Sequence, residues 1–159
     1  MINRCYMFSP IGTVCIEEDG AAITALYIVD KNKNMAVEAE YCSKASDILI
    51  QAKHELTEYF DGKRKKFDLP LHMTGTKFQL RVWKELRRIP YGETRSYKDI
   101  ARAVGNPKAC RAVGGANNKN HILILIPCHR VIGKNGSLVG FGGGVDVKKY
   151  LLELEQPKH

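Results

Sequence analysis

The chain of 159 residues predicts two domains of different class. The first, over residues 1–75, is an α/β domain, a small sheet with a helix. The second, over residues 76–159, is mostly helical and built on a helix-turn-helix. Three observations carry this. The first forty residues hold short β-branched and apolar runs broken by turn signals, the texture of strands. In the second half apolar positions recur at three- and four-residue steps, the helical period. Charge also divides between the halves: residues 1–75 hold 9 Lys and Arg against 11 Asp and Glu, and residues 76–159 hold 16 against 6. The formal net charge of +8 therefore comes wholly from the second half. Such asymmetry points to a polyanion-facing module joined to a neutral one, with a merely solubilising surface as the alternative. Apolar residues at 44% and charged residues at 26% exclude disordered and fibrous classes.

Residues 12–16 and 22–29 are strands of a hairpin, turned at Glu18-Asp19-Gly20. Residues 47–60 form an amphipathic helix through Ile48, Ala52, Leu56 and Tyr59, ended by Asp61-Gly62. The basic cluster Lys63-Arg64-Lys65-Lys66 reads as a solvated loop, and residues 67–75, with Pro70 and Gly75, as the connector. Phe78, Val82, Trp83 and Leu86 mark one face of a helix stopped at Pro90-Tyr91-Gly92. Ser96 with Asp99 forms a capping box in its acidic variant and opens a helix that Gly105 closes at C′. Asn106-Pro107 then predicts an N-cap and first-turn proline for a second helix reaching Asn117.

Met1 to Tyr6 offers no apolar core for a signal peptide, and the longest aliphatic run, Ile122-Leu123-Ile124-Leu125-Ile126, is too short to cross a bilayer. A cytoplasmic protein, or a nuclear one in a eukaryote, with no membrane partner is expected. The five cysteines, Cys5, Cys15, Cys42, Cys110 and Cys128, contain no C-x-x-C pair and read as free thiols. A zinc site using Cys5, Cys15 and His54 or His72 is the alternative, and no metal or cofactor is assigned.

The second helix of the helix-turn-helix, residues 108–117, is poor in base-reading side chains. Ala109, Ala112, Gly114 and their neighbours make a small-residue face that suits close approach to sugar-phosphates in a minor groove. Arg111 projects from it and is placed to enter the base stack. Tight packing inside the domain explains the small residues equally well. The stretch Ile126-Pro127-Cys128-His129-Arg130-Val131 follows a buried aliphatic run and offers a nucleophile beside a base, though a buried structural cysteine fits as well.

In combination these blocks decide more than each alone. Pro90-Tyr91-Gly92-Glu93-Thr94, Ser96-Tyr97, Gly105-Asn106-Pro107, residues 111–116, Asn120, residues 126–131, Gly143-Gly144 and residues 148–155 stand in order. Together they resemble the O6-alkylguanine-DNA alkyltransferases over residues 76–155. The resemblance implies a ribonuclease-H-like N-terminal domain and a winged helix-turn-helix C-terminal domain. It implies a monomer that flips O6-alkylguanine from double-stranded DNA and transfers the alkyl group irreversibly to Cys128, once per molecule. In that scheme His129 is a base acting through a water and Glu155 orients it. Tyr97 donates toward guanine N3, Arg111 replaces the extruded base, and Asn120 ties the recognition helix to the active-site segment. Lys108, Ala109, Ala112, Gly114 and Arg130 join Arg111 and Tyr97 against DNA. Pro127, Val131, Phe141, Gly142 and Gly143 line the pocket, with backbone N–H groups around Cys128 and Val131 serving guanine O6 and the exocyclic amine. Gly142 stands where some members carry serine, leaving backbone donors there.

Two other functions compete. A non-catalytic helix-turn-helix damage sensor or regulator would bind without chemistry, but sensors of that type lack the acceptor cysteine. A cysteine hydrolase would use Cys128 and His129, but explains neither Arg111 nor the basic second half.

Overall fold

A computed structural model describes residues 2–30, 46–138 and 144–157. The chain forms two compact units, Met1–Met73 and Thr74–His159. Among the described residues no helix is long and apolar enough to cross a membrane.

In the first unit, strands β1 (Asn3–Met7), β2 (Thr13–Glu18) and β3 (Ile23–Asp30) form an antiparallel sheet in the order β1-β2-β3. The predicted hairpin is β2–β3. Its turn is built by Asp19, whose Oδ1 accepts from the amides of Ala21 and Ala22 at 3.0 and 2.9 Å. As the central strand, β2 is buried on both faces. Helix α1 (Asp47–Phe60) starts at Ser46, whose side chain accepts from the Leu49 amide, and buries Leu49, Ala52, Leu56 and Tyr59 against β1 and β2.

Three features of this unit differ from the sequence reading. Residues 70–72 are not a bare connector. The Ile23 amide donates to the Pro70 carbonyl at 2.8 Å and the His72 amide to the Ile23 carbonyl at 2.9 Å, extending the sheet by one bridge. Arg64 leaves the solvated cluster and turns back on α1, with Nε 2.9 Å from Glu58 Oε1, because α1 presents two carboxylates to it. Cys5 is disulfide-bonded and not a free thiol, while Cys15, Cys110 and Cys128 are free. The zinc alternative does not assemble among the described residues: His72 bonds Asp19 at 2.9 Å and His54 faces Glu58 on the helix surface.

The second unit begins with α2 (Lys77–Leu86), closed at its start by a full Thr76–Gln79 capping box. Val82, Trp83 and Leu86 turn inward, and Trp83 Nε1 donates to the Ala116 carbonyl at 2.9 Å. A two-residue strand β4 (Arg95–Ser96) leads into α3 (Tyr97–Ala103), whose Ser96–Asp99 box is closed as predicted. Gly105 takes φ +83° after it, a backbone angle that a side chain resists. Helix α4 runs Cys110–Asn118, so it starts later than the Asn106-Pro107 signal predicts. Pro107 instead occupies a turn closed by the Ala109 amide on the Asn106 carbonyl at 3.0 Å, which places Lys108 and Ala109 ahead of the helix. A 3-10 turn, Cys128–Arg130, is followed by β5 (Val131–Ile132), which pairs in parallel with β4. Helix α5 (Val145–Leu154) packs against that turn.

Candidate active site

The site is built on a backbone held tightly ahead of Cys128. The aliphatic run Ile122–Ile126 is buried throughout but is not a strand. Its middle residue, Ile124, has φ +70°, and the Leu125 amide bonds the Leu123 carbonyl at 2.7 Å. That is a γ-turn of the strained kind, unusual for a β-branched residue. A second tight turn follows at Pro127, with φ −79° and ψ 63°, where the Cys128 amide bonds the Ile126 carbonyl at 2.7 Å. Asn120 braces the loop, donating from Nδ2 to the Ile126 carbonyl at 2.8 Å and accepting from the Ile122 amide at 2.9 Å.

Cys128 is wholly buried. Burial pushes its thiol up to about 11, while a hydrogen bond from Asn120 and the nearby charge of Lys148 pull it partly back. At neutral pH such a thiol is about one part in ten thousand thiolate, against a few per cent for an ordinary one. Reactivity therefore requires a proton acceptor during the step. His129, the next residue in the chain, is the candidate. Its Nε2 lies 2.7 Å from Glu155 Oε2, and because a carboxylate only accepts, Nε2 carries the hydrogen. Nδ1 then holds the lone pair, and it is buried with no hydrogen-bond partner among the described residues. Burial holds the imidazole below its ordinary range, against the pull of Glu155, so the ring stays neutral.

Glu155, at the C-terminal end of α5, also accepts from Arg130 Nε at 2.8 Å and from a terminal guanidinium nitrogen at 2.9 Å. Arg130 completes its bonding on the Ile89 carbonyl at 2.7 Å and lies 5.8 Å from the Tyr91 ring centroid. This corrects the assignment of Arg130 to DNA: it is buried, and its fork is spent on Glu155. A correction also applies to the backbone donors. The Cys128 amide is bonded to Ile126 and the Val131 amide to the Cys128 carbonyl. Neither is open to O6, and an exocyclic amine needs an acceptor in any case.

Tyr97, the first residue of α3, is half-buried, and burial together with the nearby Cys128 raises its hydroxyl pKa. Pro127 and Val131 are buried beside the thiol in sequence. Arg111, Ala112 and Lys108 are exposed, Ala109 and Gly114 partly so, and Val113, Ala116 and Asn117 face inward. Nothing lies within 4 Å of a side chain built at Gly115, and only the edge of Tyr97 is that near Gly114, so the small-residue face is open. Phe141, Gly142 and Gly143 lie outside the described residues. Sequence reasoning missed three residues. Asn117 donates to the Cys128 carbonyl at 3.3 Å and so makes the direct tie from α4, the task assigned to Asn120. Tyr91 donates to the Leu154 carbonyl at 3.3 Å. Lys148 is a fully buried lysine on α5, seven residues before Glu155, a helical spacing that places both on one face.

A helix-turn-helix unit with an open small-residue face, a buried cysteine and a buried His–Glu pair fits the class of nucleic-acid-binding proteins that carry a candidate acceptor thiol. Two family models agree in detail: the ribonuclease-like domain of 6-O-methylguanine DNA methyltransferase matches residues 2–73, and the DNA-binding domain of the same family matches residues 77–157. The chain belongs to this methyltransferase family. It is 48% identical to the constitutive methylated-DNA–protein-cysteine methyltransferase of Bacillus subtilis (strain 168), over 93% of this chain and 92% of that one. It is similar to the Mycobacterium tuberculosis O6-methylguanine methyltransferase crystal structure, with 43% identity, TM-score 0.86, and coverage of 98% and 93%. It is also similar to a Mycobacterium tuberculosis relative solved in complex with DNA, with 43% identity, TM-score 0.83, and coverage of 96% and 92%.

Proposed function

We propose that this protein repairs O6-alkylguanine in DNA by moving the alkyl group onto its own Cys128. The observation that carries the reading is the buried Cys128, next in the chain to the buried His129–Glu155 pair, inside a unit matched by the family's DNA-binding domain. DNA binds the open face of α4, from the minor groove, and Arg111 fills the space of the extruded nucleotide. The Cys128 thiol gives its proton to His129 Nδ1 through one water, and Glu155 supports the imidazolium that forms. Sulfur attacks the alkyl carbon, the S–C bond forms as the C–O6 bond breaks, and the electron pair stays on guanine. Tyr97 donates toward N3 to limit that charge, and guanine finally keeps the proton that the thiol lost. The thioether has no route back to thiol, so each molecule acts once, as a monomer in the cytoplasm or, in a eukaryote, the nucleus.

Incubation with a duplex containing O6-methylguanine, followed by mass spectrometry, tests this. The expected result is one added methylene mass on Cys128, absent in Cys128→Ala, which still binds DNA. Folded protein of unchanged mass overturns the proposal. A pure damage sensor is disfavoured because it has no use for a buried cysteine followed by a histidine held by a buried carboxylate.

A further inference from the structure

We propose that Lys148 is the counter-cation of the Cys128 thiolate, the group through whose field the buried thiol becomes a usable nucleophile. Lysine is among the residues least often fully buried, because desolvating an ammonium is costly unless something compensates. Here the side chain is completely enclosed, with Nζ 5.8 Å from the centroid of the Tyr97 ring, the tyrosine that stands beside Cys128. Helix α5 presents Lys148 and Glu155 from one face to the turn that holds Cys128 and His129. Burial lowers the ammonium to about 8 while the cysteine works to raise it, so Lys148 is charged at neutral pH and senses the sulfur.

The proton step separates charge: a thiolate and an imidazolium appear where a thiol and an imidazole stood. In a dry site each new charge needs a partner. Glu155 faces the imidazolium, while Arg130 and Lys148 disfavour it. For the thiolate, Asn120 supplies a hydrogen bond and Lys148 the opposite charge. Tyr97, approaching from α3, is neutral at working pH. The division of labour is then complete: Glu155 for the ring, Lys148 for the sulfur. Lys148 takes no proton in this step and acts only through Cys128, which makes it a positioning residue.

The inference rests on Cys128 being the alkyl acceptor, and it predicts a pH profile that packing alone would not produce. Single-turnover transfer is followed at saturating O6-methylguanine duplex between pH 6 and 9.5. In the parent the rate should fall above about pH 8, as Lys148 loses its proton. Lys148→Met should transfer about tenfold or more slowly at pH 7, as expected for loss of a close opposite charge, and should lack the falling limb. Lys148→Arg, charged throughout, should stay fast and also lack that limb. If Lys148→Met transfers at the parental rate, or the parental profile stays level to pH 9.5, the proposal fails. The parental profile decides even if a variant does not fold. Absence of any alkylation of Cys128 would instead remove the functional reading beneath it.

Discussion

Replacing Glu155 by glutamine should cost the second unit about 3–5 kcal/mol at neutral pH, the usual penalty for breaking a buried ion pair from one side. The carboxylate accepts a hydrogen bond from His129 at 2.7 Å, two from Arg130 at 2.8 and 2.9 Å, and a long one from the Gly92 amide at 3.5 Å. A glutamine retains one acceptor oxygen and leaves the guanidinium enclosed without its counter-charge. The folded protein's own acidity gives the same magnitude. Burial acts to raise the Glu155 carboxyl, but the bonds from His129 and Arg130 outweigh it and bring it from 4.5 to about 2. At roughly 1.4 kcal/mol per tenfold, that difference is worth about 3 kcal/mol. The folded carboxyl is the stronger acid, so this stability is complete above pH 4.5 and drains away as pH falls toward 2. Urea unfolding followed by Trp83 fluorescence isolates the unit, because the chain has one tryptophan and it is buried in α2. The variant should be weaker at pH 7 and lose less on acidification than the parent. Glu155→Gln combined with Arg130→Met should recover part of the loss, since removing both charges leaves none stranded. A single variant within about 1 kcal/mol of the parent, or an unchanged acid limb, would refute the reasoning.

His129→Ala should slow transfer by about a hundredfold or more while leaving duplex affinity intact, measured by single-turnover kinetics beside a binding titration. Arg111→Ala should slow transfer from duplex DNA far more than transfer from a free O6-alkylguanine base, because the side chain is exposed on α4 and outside the relay; equal losses on both would reject its role as a base substitute. Methylation of Cys128 adds a carbon to a site with no exposed surface, so the spent protein should be destabilised by about 1–3 kcal/mol, visible as a lower melting temperature than the unreacted form. Duplex affinity should fall steeply with salt, since the charge of the second half acts on phosphates.

What could be read in the sequence was local. The Ser96–Asp99 box and the Gly105 stop are closed within a few residues, and the periodic faces of α1 and α2 need only their own helix. The start of α4 departs from the sequence signal because Asn-Pro serves a turn as readily as a helix cap, and here the Ala109 amide takes the Asn106 carbonyl first. Long-range partners left no such mark. Arg130 looks like a phosphate contact in a basic stretch until Glu155, 25 residues later, closes on it. The bend at Ile124 hides inside five aliphatic residues that read only as a buried run. Lys148 was lost among the charges of a helix, although its seven-residue spacing from Glu155 was there to be counted. Of the relay itself, Cys128 and His129 stand out by chemistry, whereas Glu155 entered only through family resemblance.

Helix α4 works on both of its sides. Arg111 and Ala112 look outward, while on the inner side the Ala116 carbonyl takes Trp83 and Asn117 holds the Cys128 carbonyl. With DNA docked on that outer face as proposed, one helix, about 10 Å thick, stands between the duplex and the sulfur. A base still stacked in its helix is too far away to react, whatever its chemistry. The fold in this way sets a distance threshold ahead of any recognition of the alkyl group: a nucleotide must first leave the stack, and bases that are already poorly held there cross that threshold most often.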